Sequence, residues 1–501
     1  MFIDELRVEL AQELVNRKML RSARAVLRHV NLSSVRDIYA SRVARLWKSL
    51  KLNPKPLVLR FPEHAIESID KLSFSPRERE SILRRLLLKR KYKALVELNI
   101  STCLYRGIAL LKLKKYNGAL INLKNCNSAK ARKYLLYTYL RVGDTKGIYD
   151  LLRREKSPSL HFAYGWSLLN KGMYKKAKAQ FLRAGDSFKG AFYAGIVDYL
   201  YANYRSAYSF FSRAQMLASD PYQKARAYFW TAKALGKLGR SEEARTYLEK
   251  ASKFDSFYGV LARKLLGKPV YRWATLKVKL FRDTPFVSRL KAIHSLGFLH
   301  YMRREALRNK DRISQGDILG LLDTDPFLAI RLSVMKSGFN SEVYRSVAFP
   351  TPFEEHVHEA SERFGIEPAL IYGVMRQESL FNQYAVSISG AKGLMQLMDF
   401  TARWISKKIG YSYSDVFEPR TNILLGTAYL RFLMDFWDGD MVRVVASYNA
   451  GQGAVGRWKR HDDDYLFIET IPYNETRKYV RRVLWFYYVY REVLSRGSQL
   501  R

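Results

Sequence analysis

Apolar positions recur at helical spacing along nearly the whole chain, and up to about residue 265 that pattern is interrupted by few prolines. A loose repeat runs inside it, in the segments Tyr116-Asn117-Gly118-Ala119, Tyr174-Lys175-Lys176-Ala177 and Tyr204-Arg205-Ser206-Ala207. Each lies between two apolar-periodic helices. An altered copy spans Arg240 to Ala244, and a fainter one lies around Tyr92 to Val96. The spacings of 30 residues from Ala177 to Ala207 and 37 from Ala207 to Ala244 bracket a helix-pair period of roughly 34. A small residue lets the two helices of a hairpin approach, and the aromatic fills the gap beside it. One hairpin cannot bury its apolar face alone, so the hairpins are expected to stack. An irregular all-helical domain is the alternative; both readings give a helical array, and neither supplies chemistry.

Residues 266 to about 345 break the repeat. Gly267-Lys268-Pro269, Asp283-Thr284-Pro285 and the stretch from Asp323 to Pro326 punctuate shorter helical runs. This segment ends at Val347-Ala348-Phe349-Pro350-Thr351-Pro352, where each proline lacks an amide donor and pushes the preceding residue towards an extended backbone. A domain boundary is expected there.

A length of 501 residues exceeds one compact core, so an extended array plus at least one further domain is expected. The formal charge of +41 directs the protein to polyanionic partners such as nucleic acid, acidic lipid or a carboxylate-bearing cell wall, without choosing among them. The basic runs, for example Lys175, Lys176 and Lys178, read as solvated helix faces. Cys103 and Cys126 are the only cysteines, which excludes a disulfide framework and a four-thiolate metal site. One bond between them fits an oxidising compartment, but two buried free thiols are the expectation. No apolar run is long enough to span a membrane. The residues from Met1 to Asp4, followed by Glu5 and Arg7, do not read as a signal peptide.

Candidate chemistry lies beyond the boundary. A helix is expected to open at Pro368 and run through Leu370, Ile371, Val374 and Met375, and the same apolar stripe reaches Glu378 one turn later. A carboxyl buried on its own helix without a cationic partner retains its proton to higher pH, the state a general acid needs. A structural Glu satisfied by backbone donors or by Arg376 is the alternative. Downstream come Ser387, Ser389 and Gly390-Ala391-Lys392-Gly393-Leu394-Met395-Gln396, whose glycines allow a tight turn and close backbone approach to a ligand. A further element, Ala446-Ser447-Tyr448-Asn449-Ala450-Gly451-Gln452-Gly453, ends a helix at glycine. The last, Glu469-Thr470-Ile471-Pro472-Tyr473-Asn474-Glu475-Thr476-Arg477-Lys478-Tyr479-Val480, places Asn474 to cap the helix that follows.

Together these four elements, in this order, resemble the catalytic domain of the soluble lytic murein transglycosylases, with its ES pair, GLMQ loop, AYN triplet and IPY-x-ETR-x-YV segment. The likeness covers about residues 353 to 494 and extends upstream, where Ser256 to Ala262 looks like that family's junction segment. Two positions depart from the pattern: Ser447 replaces an alanine, and Asp399 stands where a proline commonly follows the loop. The resemblance implies an all-α chain. An N-terminal α-superhelix of tetratricopeptide-like hairpins would occupy residues 1–265, a helical linker 266–350, and a lysozyme-like α domain 351–501.

It further implies cleavage of the β-1,4 bond between N-acetylmuramic acid and N-acetylglucosamine in peptidoglycan glycan strands. Glu378 would be the catalytic acid and then base, and the product a 1,6-anhydromuramoyl end. Ser387, Met395, Gln396, Tyr448, Asn449 and Tyr479 would contact substrate, and Glu469 would be a second carboxylate orienting its neighbours or the cation. Met395 and Tyr479 equally suit an ordinary helical core, and Asn449 a turn cap. No cofactor or metal is implied, and His356 and His358, without a third ligand nearby, read as surface residues. A periplasmic or cell-envelope location follows from the resemblance, with the export leader expected to have been removed or the gene start misassigned. Other cell-wall enzymes fit as partners, but no specific nucleic acid or transmembrane segment does. The rival readings are a lysozyme-type muramidase and a non-catalytic helical-repeat adapter that binds glycan; nucleic-acid binding rests on charge alone.

Overall fold

The computed structural model describes residues 2–35, 39–272, 283–339, 341–387 and 389–499. Among them every regular element is helical, and two isolated β-bridges pin one turn. No helix in the described residues is long and apolar enough to cross a membrane. The chain divides into two compact units, Met1–Ser167 and Leu168–Arg501.

In the first unit the Tyr-x-x-Ala segment at Tyr116 opens the second helix of a hairpin, as the pattern requires. Tyr116 begins Tyr116–Lys124, which returns along Cys103–Lys112. Ala119 is fully buried at the approach, and a Cβ on Gly107 opposite would lie only 2.7 Å from Leu123 Cγ. The antiparallel return brings the first residue of one helix beside the end of the other, so Cys103 and Cys126 meet with their Cα atoms 5.8 Å apart and form a disulfide. This corrects the expectation of two free thiols, because the pairing depends on hairpin register and not on sequence spacing.

The hairpins continue in the second unit with Tyr174–Arg183, Phe188–Leu200, Tyr204–Met216, Pro221–Lys237, Ser241–Ser252 and Phe257–Leu265. Ala177 and Ala207 are fully buried, and Gly195 admits the Phe211 ring where a Cβ would stand 2.6 Å from it. Aromatic rings fill the space between these helices: Phe192, Phe211 and Trp230 pack with ring centroids 5.5 and 5.8 Å apart. Lys178, expected to be solvated, turns inward to the buried Asp198 at 2.7 Å. Punctuating residues further on act as caps. Thr284 and Asp325 accept from Val287 and Leu328 amides at 3.3 Å each, and each is followed by proline at the first helical position.

The catalytic-domain candidate consists of the helices Glu354–Phe364, Pro368–Glu378, Asp399–Lys408, Pro419–Phe436, Met441–Ala450, Asp464–Thr470 and Asn474–Gln499, with one short helical turn, Gln452–Val455. Glu469 does not line a cleft. It is fully buried, and its carboxylate accepts from Arg226 Nε at 3.0 Å and Trp230 Nε1 at 3.2 Å, as well as from Tyr258 and Arg481. Arg226 also donates to Tyr193 at 2.9 Å and lies 3.8 Å from the centre of the Phe192 ring. Burial pushes the carboxyl up, but the two guanidinium groups outweigh it and hold its pKa at about 2. Expected at the site as a second carboxylate orienting its neighbours or the cation, Glu469 is instead a clamp between the repeat hairpins and the last helix.

Removing one cation from a buried pair leaves the other charge uncompensated, so Arg226→Met is expected to cost about 3–5 kcal/mol in urea unfolding at neutral pH. Glu469 is depressed from 4.5 to about 2, so its contribution is full above pH 4.5 and is lost as pH falls towards 2. Glu469→Gln should remove that acid dependence; midpoints identical to the parent's at both pH values would rule the clamp out. In the first unit, Cys103→Ser opens a loop of 23 residues and should lower stability by roughly 3 kcal/mol. Equal denaturant midpoints for oxidised and reduced protein would contradict it.

Candidate active site

The Pro368–Glu378 helix opens at Pro368, and every residue from Ala369 to Arg376 is buried. Gly373 is what lets it sink. A Cβ there would lie 3.2 Å from the Tyr487 amide nitrogen and 3.3 Å from the Val483 carbonyl, so the helix presses directly on the backbone of Asn474–Gln499. Glu378 ends the helix at the edge of this core, partly exposed.

Arg376 does not neutralise it. That guanidinium donates to the Ala348 carbonyl at 2.6 Å and the Tyr344 hydroxyl at 3.0 Å, and it stacks 4.1 Å from the Phe486 ring centre. Burial therefore dominates at Glu378 and raises its pKa from 4.5 to about 7. The Tyr479 hydroxyl faces the carboxyl and favours its ionised form without making a fully formed hydrogen bond, while the exposed Glu475 opposes ionisation. Glu475, rather than the expected Glu469, is thus the second carboxylate in electrostatic reach. The arrangement is an acid that keeps its proton near neutrality and can take one back.

Tyr479 is buried on the last helix, and Tyr448 stands beside it on Met441–Ala450. The Tyr448 hydroxyl donates to the Met395 carbonyl at 2.9 Å, and its ring meets Tyr429 at 5.3 Å. Burial and the nearby Glu378 both push the Tyr448 phenol well above its ordinary range, so it stays a neutral donor. Asn449 is exposed and accepts from Thr476 at 2.7 Å. The helix ends at Gly451, as expected, with φ of 83°.

The Gly390–Gln396 turn is braced from several sides. Paired amide bonds of 2.9 Å join Lys392 and Leu397, and the Ser387 amide donates to the Ala391 carbonyl at 2.8 Å. Gly393, at φ 79°, leaves room for the Asn422 amide, which a Cβ would approach to 2.2 Å. Asn422 is fully buried. It accepts from the Met395 amide at 2.7 Å and donates to the Val416 and Lys392 carbonyls at 2.7 and 3.1 Å. Gln396, at φ 51°, donates to the Ala385 and Gly393 carbonyls at 3.0 and 2.8 Å, and Ser387 Oγ accepts from the Ala391 amide at 2.9 Å. Both stay partly exposed. The Met395 side chain, expected to touch substrate, is fully buried against Gly426, so only its backbone serves this region.

The two departures from the family pattern have local reasons. Ser447 is buried and accepts from Trp437 Nε1 at 2.7 Å, while Asp399 begins its helix with a favourable acidic residue and pairs with Lys392 at 2.8 Å. Asn474 is the first residue of its helix, and its side-chain oxygen accepts from Arg477 at 3.3 Å. His358 is exposed and lies 3.5 Å from Glu362. Among the described residues no group of three His, Cys, Asp or Glu side chains is arranged for a metal. A cavity of about 470 Å³ bounded by Lys233, Asp463, Tyr465 and Tyr488 contains none of the groups around Glu378.

Sequence reasoning missed Asn422, Tyr429 and Glu475. Asn422 reads as one more polar residue in an amphipathic helix, and its role depends on a turn 27 residues away. Glu475 stands in the same motif as Glu469, and periodicity does not distinguish which of the two approaches Glu378.

Known proteins resemble this chain in sequence and in fold. Residues 355–471 match the Transglycosylase SLT domain, residues 470–499 the Soluble lytic transglycosylase helical domain, and residues 225–258 a Tetratricopeptide repeat. The soluble lytic murein transglycosylase of Salmonella typhimurium is 25% identical over 305 residues, covering 57% of this chain and 46% of that protein. Membrane-bound lytic murein transglycosylase C of Edwardsiella ictaluri is 44% identical over 113 residues, 20% of this chain and 32% of that protein. The chain spans less than half the length of these curated relatives. Among solved structures, the 70 kDa soluble lytic transglycosylase of Escherichia coli aligns with a TM-score of 0.62 at 20% identity, covering 97% of this chain and 86% of that one. Residues 355–471 are thus a Transglycosylase SLT domain, and the chain around it is similar in sequence and fold to soluble lytic transglycosylases.

Proposed function

We propose that this protein is a peptidoglycan lytic transglycosylase. The carrying observation is Glu378, a carboxyl held protonated to about pH 7 by burial with no guanidinium beside it. Glu378 donates its proton to the glycosidic oxygen between N-acetylmuramic acid and N-acetylglucosamine. As that bond breaks, the muramoyl N-acetyl oxygen stabilises the cation at the anomeric carbon. The Glu378 carboxylate then takes the proton of the muramoyl 6-hydroxyl, whose oxygen closes onto the anomeric carbon and displaces the acetamido oxygen. An anhydro end and a free 4-hydroxyl result, no water is consumed, and Glu378 regains its proton. One carboxylate suffices because the substrate supplies the groups that a second would supply in a two-carboxylate glycosidase.

Tyr448 and Asn449 position the reacting sugar, Gln396 and Ser387 line the cleft, and Tyr479 tunes the acid. In this reading chemistry belongs to residues 351–501, preceded by the hairpins of 1–265 and the linker of 266–350, and the hairpin helix that carries Arg226 braces it. The Cys103–Cys126 bond and the net charge of +41 support an oxidising cell envelope with its anionic wall polymers as the working location.

Glu378→Gln keeps the shape of the acid without its proton, so glycan cleavage should fall on the order of 10³-fold with binding retained. Mass spectrometry of digested sacculi should find anhydro ends in the parent protein. Reducing muramic ends would mean a hydrolase, and undiminished cleavage by the variant would end the assignment of Glu378. The rate should decline as pH rises through about 7, where the acid ionises. Tyr479→Phe removes the hydroxyl that favours the carboxylate, so this alkaline limb should move to higher pH; a limb unmoved or shifted to lower pH would contradict the tuning role.

A further inference from the structure

The rings near Glu378 do not stop at Tyr448. Tyr429 lies 5.3 Å from Tyr448 and 6.3 Å from Phe432, and Phe432 meets Trp404 edge to face at 4.8 Å and Phe436 at 6.0 Å. These residues belong to two helices, Asp399–Lys408 and Pro419–Phe436. Phe400 lies one turn before Trp404 on the same face. The outer members are not core. Phe400 is 66% exposed, Trp404 43% and Phe436 50%, whereas the inner ones, Tyr429 and Phe432, are half-buried. Single exposed aromatics need no explanation, but a connected run leading out of a candidate active site does.

Charge narrows the occupant. Arg403, Lys407 and Lys408 flank the rings and are exposed, and Lys408 Nζ stands 5.7 Å from the Phe432 ring centre. Flat apolar faces beside cations suit a ligand with C–H-rich faces and carboxylates. A strand of pyranose rings carrying lactyl and stem-peptide carboxylates has both. Such rings offer C–H faces to an aromatic platform while their hydroxyls stay in water.

We propose that the aromatic face of the Asp399–Lys408 and Pro419–Phe436 helices is a second glycan-binding surface that holds the strand beyond the bond facing Glu378. It rests on the reading of Glu378 as a glycan-cleaving acid, and it assigns Phe400, Trp404 and Phe436 to strand capture at a distance from the chemistry. Continuity of the rings with Tyr448 selects the same strand as occupant over a lipid surface or a second copy of the chain.

The test uses the full chain carrying Glu378→Gln, titrated with long peptide-free glycan strands and with a tetrasaccharide of the same repeat. Adding Trp404→Ala should weaken the long strands about tenfold and the tetrasaccharide less than about twofold, the loss of one stacked ring. Phe400→Ser, a change at the more exposed ring, should act in the same direction. If Trp404→Ala also lowers the melting temperature, Phe400→Ser decides. Equal weakening of both ligands, or of neither, overturns the proposal. So does an effect confined to binding of anionic phospholipid vesicles, or to self-association in sedimentation equilibrium. The two readings fail separately: cleavage surviving Glu378→Gln sinks the catalytic assignment, whereas inactive Glu378→Gln with unaltered strand affinity in Trp404→Ala sinks only the second surface.

Discussion

The site depends on keeping a guanidinium away from one carboxyl. Glu378 and Glu469 are the same residue type, yet one keeps its proton to about pH 7 and the other ionises at about 2. Desolvation raises both, and the difference comes from cations. Glu469 has Arg226 and Arg481 within ion-pair distance, whereas the arginine two residues before Glu378 is tied to the Ala348 carbonyl and the Tyr344 hydroxyl. A cation placed beside Glu378, as Arg226 and Arg481 are beside Glu469, would lower its pKa and remove its use as an acid near neutrality.

Close backbone approach fixes what surrounds that acid. Gly373 seats its helix on the last helix, Gly393 admits Asn422 to the turn, and Gly426 makes room for the Met395 side chain. Each glycine serves a contact between segments far apart in sequence, so the glycines join the pieces on which Tyr448, Gln396 and Glu378 stand. Glu469 extends the connection beyond the domain. Arg481 lies two residues after Tyr479 on the same helix, and Arg226 lies on a repeat hairpin. The helix that presents Tyr479 to the acid is therefore held from the hairpin side as well.

Local periodicity and turn chemistry made much of this readable. The apolar stripe from Leu370 to Met375 pointed to Glu378, Pro368 marked the helix start, and the tyrosines and alanines of the loose repeat marked hairpins that the structure contains. What escaped was non-local. The partner of Glu469 lies 243 residues upstream, and the pairing of Cys103 with Cys126 needs an antiparallel return. Met395 shows the limit of motif transfer: its backbone accepts from Tyr448, yet periodicity cannot say whether its side chain faces the cleft or the core. Tyr429 and Trp404 sat outside the motifs, where an exposed aromatic on an amphipathic helix carries little signal by itself.

The two carboxylates also act on stability in opposite senses as pH changes. A carboxyl raised from 4.5 to about 7 gives less stability as pH climbs between those values, and at neutrality the deficit is roughly 3 kcal/mol. Glu469, depressed from 4.5 to about 2, contributes in the opposite sense and is fully ionised before Glu378 begins to titrate. The clamp therefore keeps its full contribution at the pH where holding Glu378 in a poorly solvated place costs stability. Through Arg226 the repeat hairpins thus stabilise the ionised carboxylate of the domain that also carries the neutral one.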